Sequence, residues 1–161
     1  MNEEQIKLKI HRLVNQYNAG NYTHVIKESG ILLKKMPTNF FLMNLIGSSF
    51  QRIGQLEKAK KIFEDIVALD RSNTAALNNL GNTYKSLKDF DSAEKAYKQA
   101  LEIEPNFANC IQNFANLKFD LNNYDEAIKL YKKAINSEPK NFLTYYNLGL
   151  LYQSLGQFDE A

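Results

Sequence analysis

The sequence predicts an all-α protein in which pairs of helices repeat along the chain and stack into a solenoid. The first observation is a period of 34 residues, with gap-free copies that start at Phe40, Thr74, Ala108 and Phe142. The second is the spacing of apolar residues at the helical period within each copy. Because a repeat of this length cannot bury its apolar face alone, the copies are expected to stack on their neighbours.

A shared set of residues recurs in phase within the copies. In each first helix an apolar residue precedes a small one and an aromatic residue generally follows, as in Leu80, Gly81 and Tyr84. The second helix then carries Ala93 and the aromatic Tyr97. Small residues predict a close approach of the two helices. The equivalent residues of the other copies are Ile46, Gly47, Phe50, Ala59 and Phe63; Phe114, Ala115, Lys118, Ala127 and Tyr131; and Leu148, Gly149, Tyr152 and Ala161.

The ends of the helices also follow the repeat. Gly54 and Asn122 stand where the first helix should end in a left-handed residue, and Lys88 is the exception in residue type. Asp91 is expected to cap the following helix, with Glu94 at capping-box spacing. Two prolines, Pro105 and Pro139, are expected to stop second helices.

These residues resemble the tetratricopeptide repeat (TPR), whose signature is an apolar residue and glycine, an aromatic residue, then alanine, an aromatic residue and proline. The resemblance implies a right-handed α-solenoid of helix-turn-helix repeats that binds proteins or peptides. The predicted division is a divergent N-terminal capping repeat at 1–39, TPRs at 40–73, 74–107 and 108–141, and a partial TPR at 142–161.

Both terminal segments depart from the motif. In the first, Val25 and Ser29 stand in for the usual alanine and aromatic residue. The last copy stops at Ala161, after its first helix and turn, so we expect the chain to be a fragment of a longer protein. The uncovered half-repeat would also allow self-association.

Lys118 is the sharpest internal departure, because it stands where the motif has a buried aromatic residue. Either the helix shifts locally, which would bring Phe119 into the core, or the lysine extends its ammonium group to the surface. We favour the shift.

The resemblance places the binding groove on the first helices, mainly at repeat positions 2, 5, 6, 9, 12 and 13. These positions are rich in amides, and the candidate peptide-binding residues are Asn78, Asn79, Asn82, Gln112, Asn113, Asn116, Tyr146, Asn147 and Leu150. Asn109 and Asn113 stand where clamps for a terminal carboxylate carry lysine or arginine, which argues against such a clamp.

Asparagine occupies position 6 in three successive copies and resembles the asparagine ladder in the TPR superhelix of O-linked N-acetylglucosamine transferase, which holds an extended peptide backbone. A side-chain amide offers both a donor and an acceptor to a peptide unit. The same asparagines can instead bond the backbone of the neighbouring repeat, and both interpretations stay open. Leu45 interrupts the series in the copy that starts at Phe40.

Composition argues against other classes of function. The formal charge of +2 is spread along the chain and predicts neither nucleic-acid binding nor membrane insertion. Cys110 is the single cysteine, and His11 and His24 lack partners at metal or triad spacing, so we expect no catalytic residue, metal or cofactor. The expected function is a cytoplasmic protein-interaction scaffold. The alternative is the N-terminal accessory TPR region of a larger sulfotransferase or glycosyltransferase whose catalytic domain is absent from this chain.

Overall fold

The computed structural model describes residues 3–156, and all regular secondary structure in that range is α-helical. The helices are α1 (Glu3–Asn18), α2 (Tyr22–Leu33), α3 (Phe40–Arg52), α4 (Leu56–Leu69), α5 (Thr74–Ser86), α6 (Phe90–Ile103), α7 (Ala108–Asp120), α8 (Tyr124–Ser137) and α9 (Phe142–Ser154). From α3 onward, each odd-numbered helix begins 34 residues after the previous one. The predicted all-α solenoid is confirmed. Ala161, where the predicted partial repeat stops, lies outside the described residues.

The odd-numbered helices form the inner side of the solenoid. Each helix packs on the next along the chain, and each odd-numbered helix also contacts the next odd-numbered one. Between residues 3 and 156 no two even-numbered helices approach each other in this way. Adjacent helix pairs are therefore closest along the odd-numbered side, which makes that side concave and the even-numbered side convex.

Each helix pair is centred on an aromatic ring that lies against a small residue. A Cβ atom on Gly81 would lie 2.5 Å from Cε1 of Tyr97, and one on Gly47 would lie 2.7 Å from Cε1 of Phe63. The space left by the glycine is thus occupied by the ring of the second helix. Both rings are fully buried, and burial of such a side chain stabilises the fold by about 1.5–3 kcal/mol.

The first helix pair reverses this arrangement. Its large side chain, Leu13, is on the first helix and its small one, Ser29, is on the second, and both are buried. The exchange conserves volume approximately, so α1 and α2 pack together without the motif. Ser29 Oγ makes no hydrogen bond with any residue of the described range, a destabilising feature confined to this divergent pair.

The turns between paired helices share a left-handed residue whatever its side chain. Gly54 has φ +75°, and Lys88 and Asn122 have φ 63° and 59°. Lys88 therefore adopts the backbone conformation of glycine, although its side chain makes that conformation costly.

The predicted capping box at Asp91 is wrong. The helix begins at Phe90, so the N-cap is Asp89, two residues before the predicted one, and its carboxylate accepts from the Ser92 amide at 3.2 Å. Asp91 lies in the first turn, and Glu94 is hydrogen-bonded to Lys118 instead.

We expect Lys88→Gly to stabilise the protein by about 0.5–1 kcal/mol, because it removes the strain of a left-handed residue with a Cβ atom. Urea unfolding followed by circular dichroism measures the change. The matched control is Lys95→Gly inside α6, which should destabilise the fold by about 1 kcal/mol. Equal destabilisation by both variants would contradict a strained turn.

Lys118 stays in register at the aromatic position, so the predicted helix shift is wrong. Helix α7 has the same 13-residue length as α5 and α9. The ammonium group of Lys118 lies 2.8 Å from Glu94 on α6 and 3.1 Å from Glu126 on α8, and 5.1 Å from the centre of the Phe114 ring. A buried lysine is stable here because two carboxylates from neighbouring helices pair with it.

The ion pairs shift the pKa values of Glu94 and Lys118 in the directions that favour the charged form of each group. Burial alone would raise the pKa of Glu94, but the hydrogen bonds from Lys118 and Lys98 outweigh it and lower that pKa. Burial alone would lower the pKa of Lys118, and the bonds to Glu94 and Glu126 raise it instead. At neutral pH the network therefore contributes to the free energy of unfolding. The part that depends on the ionised carboxylate of Glu94 is lost as pH falls through the lowered pKa of this group.

We expect Lys118→Met to lower the free energy of unfolding by about 1–2 kcal/mol at pH 7, since both carboxylates can still reach water. The difference from the wild type should shrink in urea titrations at an acidic pH below the lowered pKa of Glu94, where this carboxylate is protonated. Lys98→Met is the control, because Lys98 also bonds Glu94 but is mostly exposed, and its effect should be much smaller. A difference that is the same at both pH values would contradict the ion-pair explanation.

Candidate functional site

The part of the concave face formed by α3, α5, α7 and α9 is nearly free of unpaired charge. Helices α3, α5, α7 and α9 carry only four charged residues, whereas α4 alone carries six. Lys118 is buried with its carboxylates, and Lys85 pairs with Asp120 across α5 and α7 at 3.0 Å. Arg52 is the remaining charged residue of these four helices, and its guanidinium bonds Tyr17, which raises the arginine pKa.

The asparagines at position 6 bond amides of the preceding repeat, so they link neighbouring helices of the concave face. Asn79 Nδ2 donates to Asn44 Oδ1 at 3.2 Å, and Asn113 Nδ2 donates to Asn78 Oδ1 at 3.0 Å. Asn147 continues the series, donating to Asn116 Oδ1 at 3.2 Å. These bonds run between side chains, whereas the sequence-based interpretation had them reach the backbone.

The asparagines at position 9 are oriented by tyrosines of the second helices. The hydroxyl of Tyr97 donates to Asn82 Oδ1 at 2.7 Å, and that of Tyr131 donates to Asn116 Oδ1 at 2.6 Å. The amide nitrogens of Asn82 and Asn116 make no hydrogen bond with any described residue and lie on the half-exposed inner face. Their N–H groups are therefore available to a ligand.

The candidate residues at position 5 differ from each other. Asn78 and Gln112 are only 8% and 6% exposed, and both side chains take part in bonds between repeats. Gln112 Oε1 accepts from Thr144 at 2.9 Å and from Asn141 at 3.2 Å. We therefore assign Asn78 and Gln112 to the contact between helices. Tyr146, the third residue at this position, is 63% exposed.

The last described helix presents an apolar surface. Tyr146 and Leu150 face the groove side, and Phe142 and Leu143 are also exposed at the start of α9. Tyr145 and Gly149 line a depression of about 330 Å³. The equivalents of these two residues in α5, Leu77 and Gly81, are covered by α6.

Cys110 has the properties of a core residue. Its side chain is fully buried, its thiol lies 3.7 Å from the carbonyl oxygen of Tyr97, and burial raises its pKa to about 12. The thiol therefore stays protonated and is not a nucleophile at neutral pH.

The described helices form neither a metal centre nor a membrane span. Residues 3–156 contain no cluster of three or more metal-ligating side chains. In the same part of the chain, every helix is too short or too polar to cross a lipid bilayer.

Several features of this face could not be read from the motif. The Lys85–Asp120 pair joins residues 35 apart, and Tyr97 and Tyr131 reach the groove amides from the second helices. The period could have indicated the Lys85–Asp120 pair, since residues about one repeat apart are neighbours on adjacent odd-numbered helices. Phe119, which the predicted helix shift would have brought into the core, is half-buried on the groove side beside Tyr124, at 5.9 Å between ring centres.

Regular stacking of helix pairs around a concave face defines an α-solenoid repeat protein. Family models described as tetratricopeptide repeats match residues 42–73 and 74–107, and one described as a TPR repeat matches 115–161. The chain belongs to the TPR family. No curated protein sequence matches it.

Solved structures share this fold at low sequence identity. A thermophilic TPR protein of Thermus thermophilus, TTC0263, superimposes with a TM-score of 0.84 at 19% identity over 90% of this chain and 80% of that one. MamA has a TM-score of 0.73 at 23% identity, with 91% and 85% of the two chains covered. The first TPR of Spaghetti (RPAP3), bound to an HSP90 peptide, has a TM-score of 0.67 at 22% identity, with 73% and 93% covered.

We expect Gln112→Ala to destabilise the protein by about 1–3 kcal/mol, because it leaves the buried hydroxyl of Thr144 without its partner. Thermal and urea unfolding measure the loss. The paired variant Gln112→Leu with Thr144→Val should recover most of it, whereas exposed Asn109→Ala should have little effect. An unchanged unfolding free energy for Gln112→Ala would contradict its assignment to the contact between repeats.

Proposed function

We propose that this TPR array is a protein-interaction scaffold that holds an extended, largely uncharged peptide segment of a partner along the concave face. The observation that carries the proposal is the combination of charge neutrality with half-exposed amides on this face. Family membership supports the general role in protein binding, and the geometry of the amides supports the finer assignment.

Neutrality selects the chemical class of the ligand. A terminal carboxylate or an acidic segment requires charged donors with free capacity. Lys85 is paired with Asp120, and Lys118 is buried. The peptide in the RPAP3 complex, SRMEEVD, is acidic, so we propose a different kind of ligand for this chain.

In the repeats that start at Thr74 and Ala108, the amides offer complementary groups at two positions. At position 6 the side-chain N–H groups are partly used between repeats, and the side-chain oxygens of Asn79, Asn113 and Asn147 accept no hydrogen bond from residues 3–156. At position 9 the oxygens of Asn82 and Asn116 are used, and the nitrogens are free. Positions three apart share one face of a helix. The face thus presents acceptors beside donors, as the edge of a β-strand does to a peptide.

The position 6 asparagines can bond the preceding repeat and a peptide ligand at the same time. Each amide has two N–H groups and an oxygen with two lone pairs, and the bond to the preceding repeat uses one N–H. That bond already fixes the conformation of the amide, so less side-chain entropy is lost when a ligand binds. We therefore propose that the inter-repeat bonds orient the binding groups.

The test uses 12-residue peptides with blocked ends, selected from a random library against the whole chain. We expect the triple variant of Asn79, Asn113 and Asn147 to alanine to weaken binding by more than about tenfold, since each lost bond contributes about 0.5–1.5 kcal/mol. Isothermal titration measures affinity at a temperature where circular dichroism shows the variant to be folded.

The control replaces two exposed asparagines outside the groove, Asn106 and Asn136, with alanine. Its affinity should equal that of the wild type. Equal affinity for the groove variant and the control would rule out the amide groove, and selection of peptides that share acidic residues would rule out the proposed ligand class.

A further inference from the structure

One depression in the concave face differs from the rest of the amide-lined groove. It has a volume of about 210 Å³ and lies where α5, α7 and α9 meet. Its walls are Lys85, Asn116, Phe119, Asp120, Asn147 and Leu150, and Tyr131 is at its base. We call it the anchor pocket.

The apolar side of the anchor pocket arises from two substitutions within the repeat pattern. Phe119 occupies position 12, where the other copies have Gln51, Lys85 and Gln153. Leu150 occupies position 9, where the two preceding copies have asparagine, and it is 43% exposed. Phe119 packs against the core that contains Tyr131, so its ring is held in place. The pocket therefore combines a fixed aromatic wall with an accessible aliphatic one.

The polar side of the anchor pocket has donors but no unpaired charge. Asn116 Oδ1 accepts from both Tyr131 and Asn147, so the orientation of this amide is set by two bonds. Its two N–H groups have no acceptor within the described residues. Lys85 and Asp120 pair with each other at 3.0 Å. A charged ligand group would have to break that pair, whereas a peptide carbonyl can accept from Asn116 directly.

We infer that the anchor pocket receives one large apolar side chain of an extended peptide, of the leucine or phenylalanine class, between Phe119 and Leu150, while Asn116 donates to a neighbouring peptide carbonyl. This inference rests on the proposed peptide-binding function and adds a specificity site to it. The amides along the groove bind any peptide backbone, so the apolar side chain sets the register of the segment.

The experiment measures whether Leu150 and one ligand side chain act together. Peptides selected by the wild-type chain should share a single leucine, isoleucine, methionine or phenylalanine position. Leu150→Ala should lower the affinity for such a peptide by about tenfold. Leu69→Ala is the matched control, because Leu69 is also exposed, at 57%, but belongs to the convex helix α4. It should leave affinity unchanged.

A double-mutant cycle makes the result specific. When the shared apolar residue of the peptide is replaced by alanine, Leu150→Ala should cause little further loss. Titration followed by NMR gives a second readout, the side-chain NH2 resonances of Asn116, which should shift with wild-type peptide.

Each other outcome rejects a definite part of the argument. If Leu150→Ala behaves like Leu69→Ala while the triple asparagine variant still loses binding, the anchor pocket is wrong and the amide groove stands. If the selected peptides carry charged residues at the shared position, the apolar assignment is wrong. If the wild-type chain selects no peptide, the groove and the anchor pocket are both rejected.

Discussion

The contact between a small residue on the first helix and an aromatic ring on the second is the constraint on which the rest of the structure depends. At Gly81 this contact leaves no room for a Cβ atom without movement of Tyr97. The ring reaches so far across the pair that its hydroxyl emerges on the concave face and bonds Asn82. Core packing and groove chemistry are thus coupled through one side chain, because the residue that fills the core also orients an amide available to a ligand.

The distribution of charge follows from the stacking of the helices. Each of α3, α5 and α7 contacts its own partner and the odd-numbered helices on either side, so few of its positions can hold an unpaired charge without desolvation. Even-numbered helices do not contact one another within residues 3–156, and their convex faces carry most of the lysines and acidic residues. Lys118 shows the exception that this constraint allows, since its charge is buried with carboxylates from two other helices.

The period predicted the helices and the concave face because spacing along the chain becomes position on a helix. It could not predict the N-cap at Asp89, which depends on a two-residue difference in where the helix begins. The ion pairs of Lys118 were also missed, because their partners lie on two other helices, 24 and 8 residues away along the chain. Among the candidate site residues, sequence alone could not distinguish buried Gln112 from exposed Tyr146, although both occupy position 5.

The amides of the concave face also explain how a repeat protein can combine stability with adaptable binding. A bond such as Asn113 to Asn78 joins two repeats, and it fixes which atom of Asn113 points to the open groove. If these amides served only stability, apolar side chains would serve as well, because exchanging both partners of a hydrogen bond for apolar groups is nearly neutral. An amide has unused bonding capacity after the structural bond is made, and an apolar residue has none. That unused capacity is what a peptide backbone can bind.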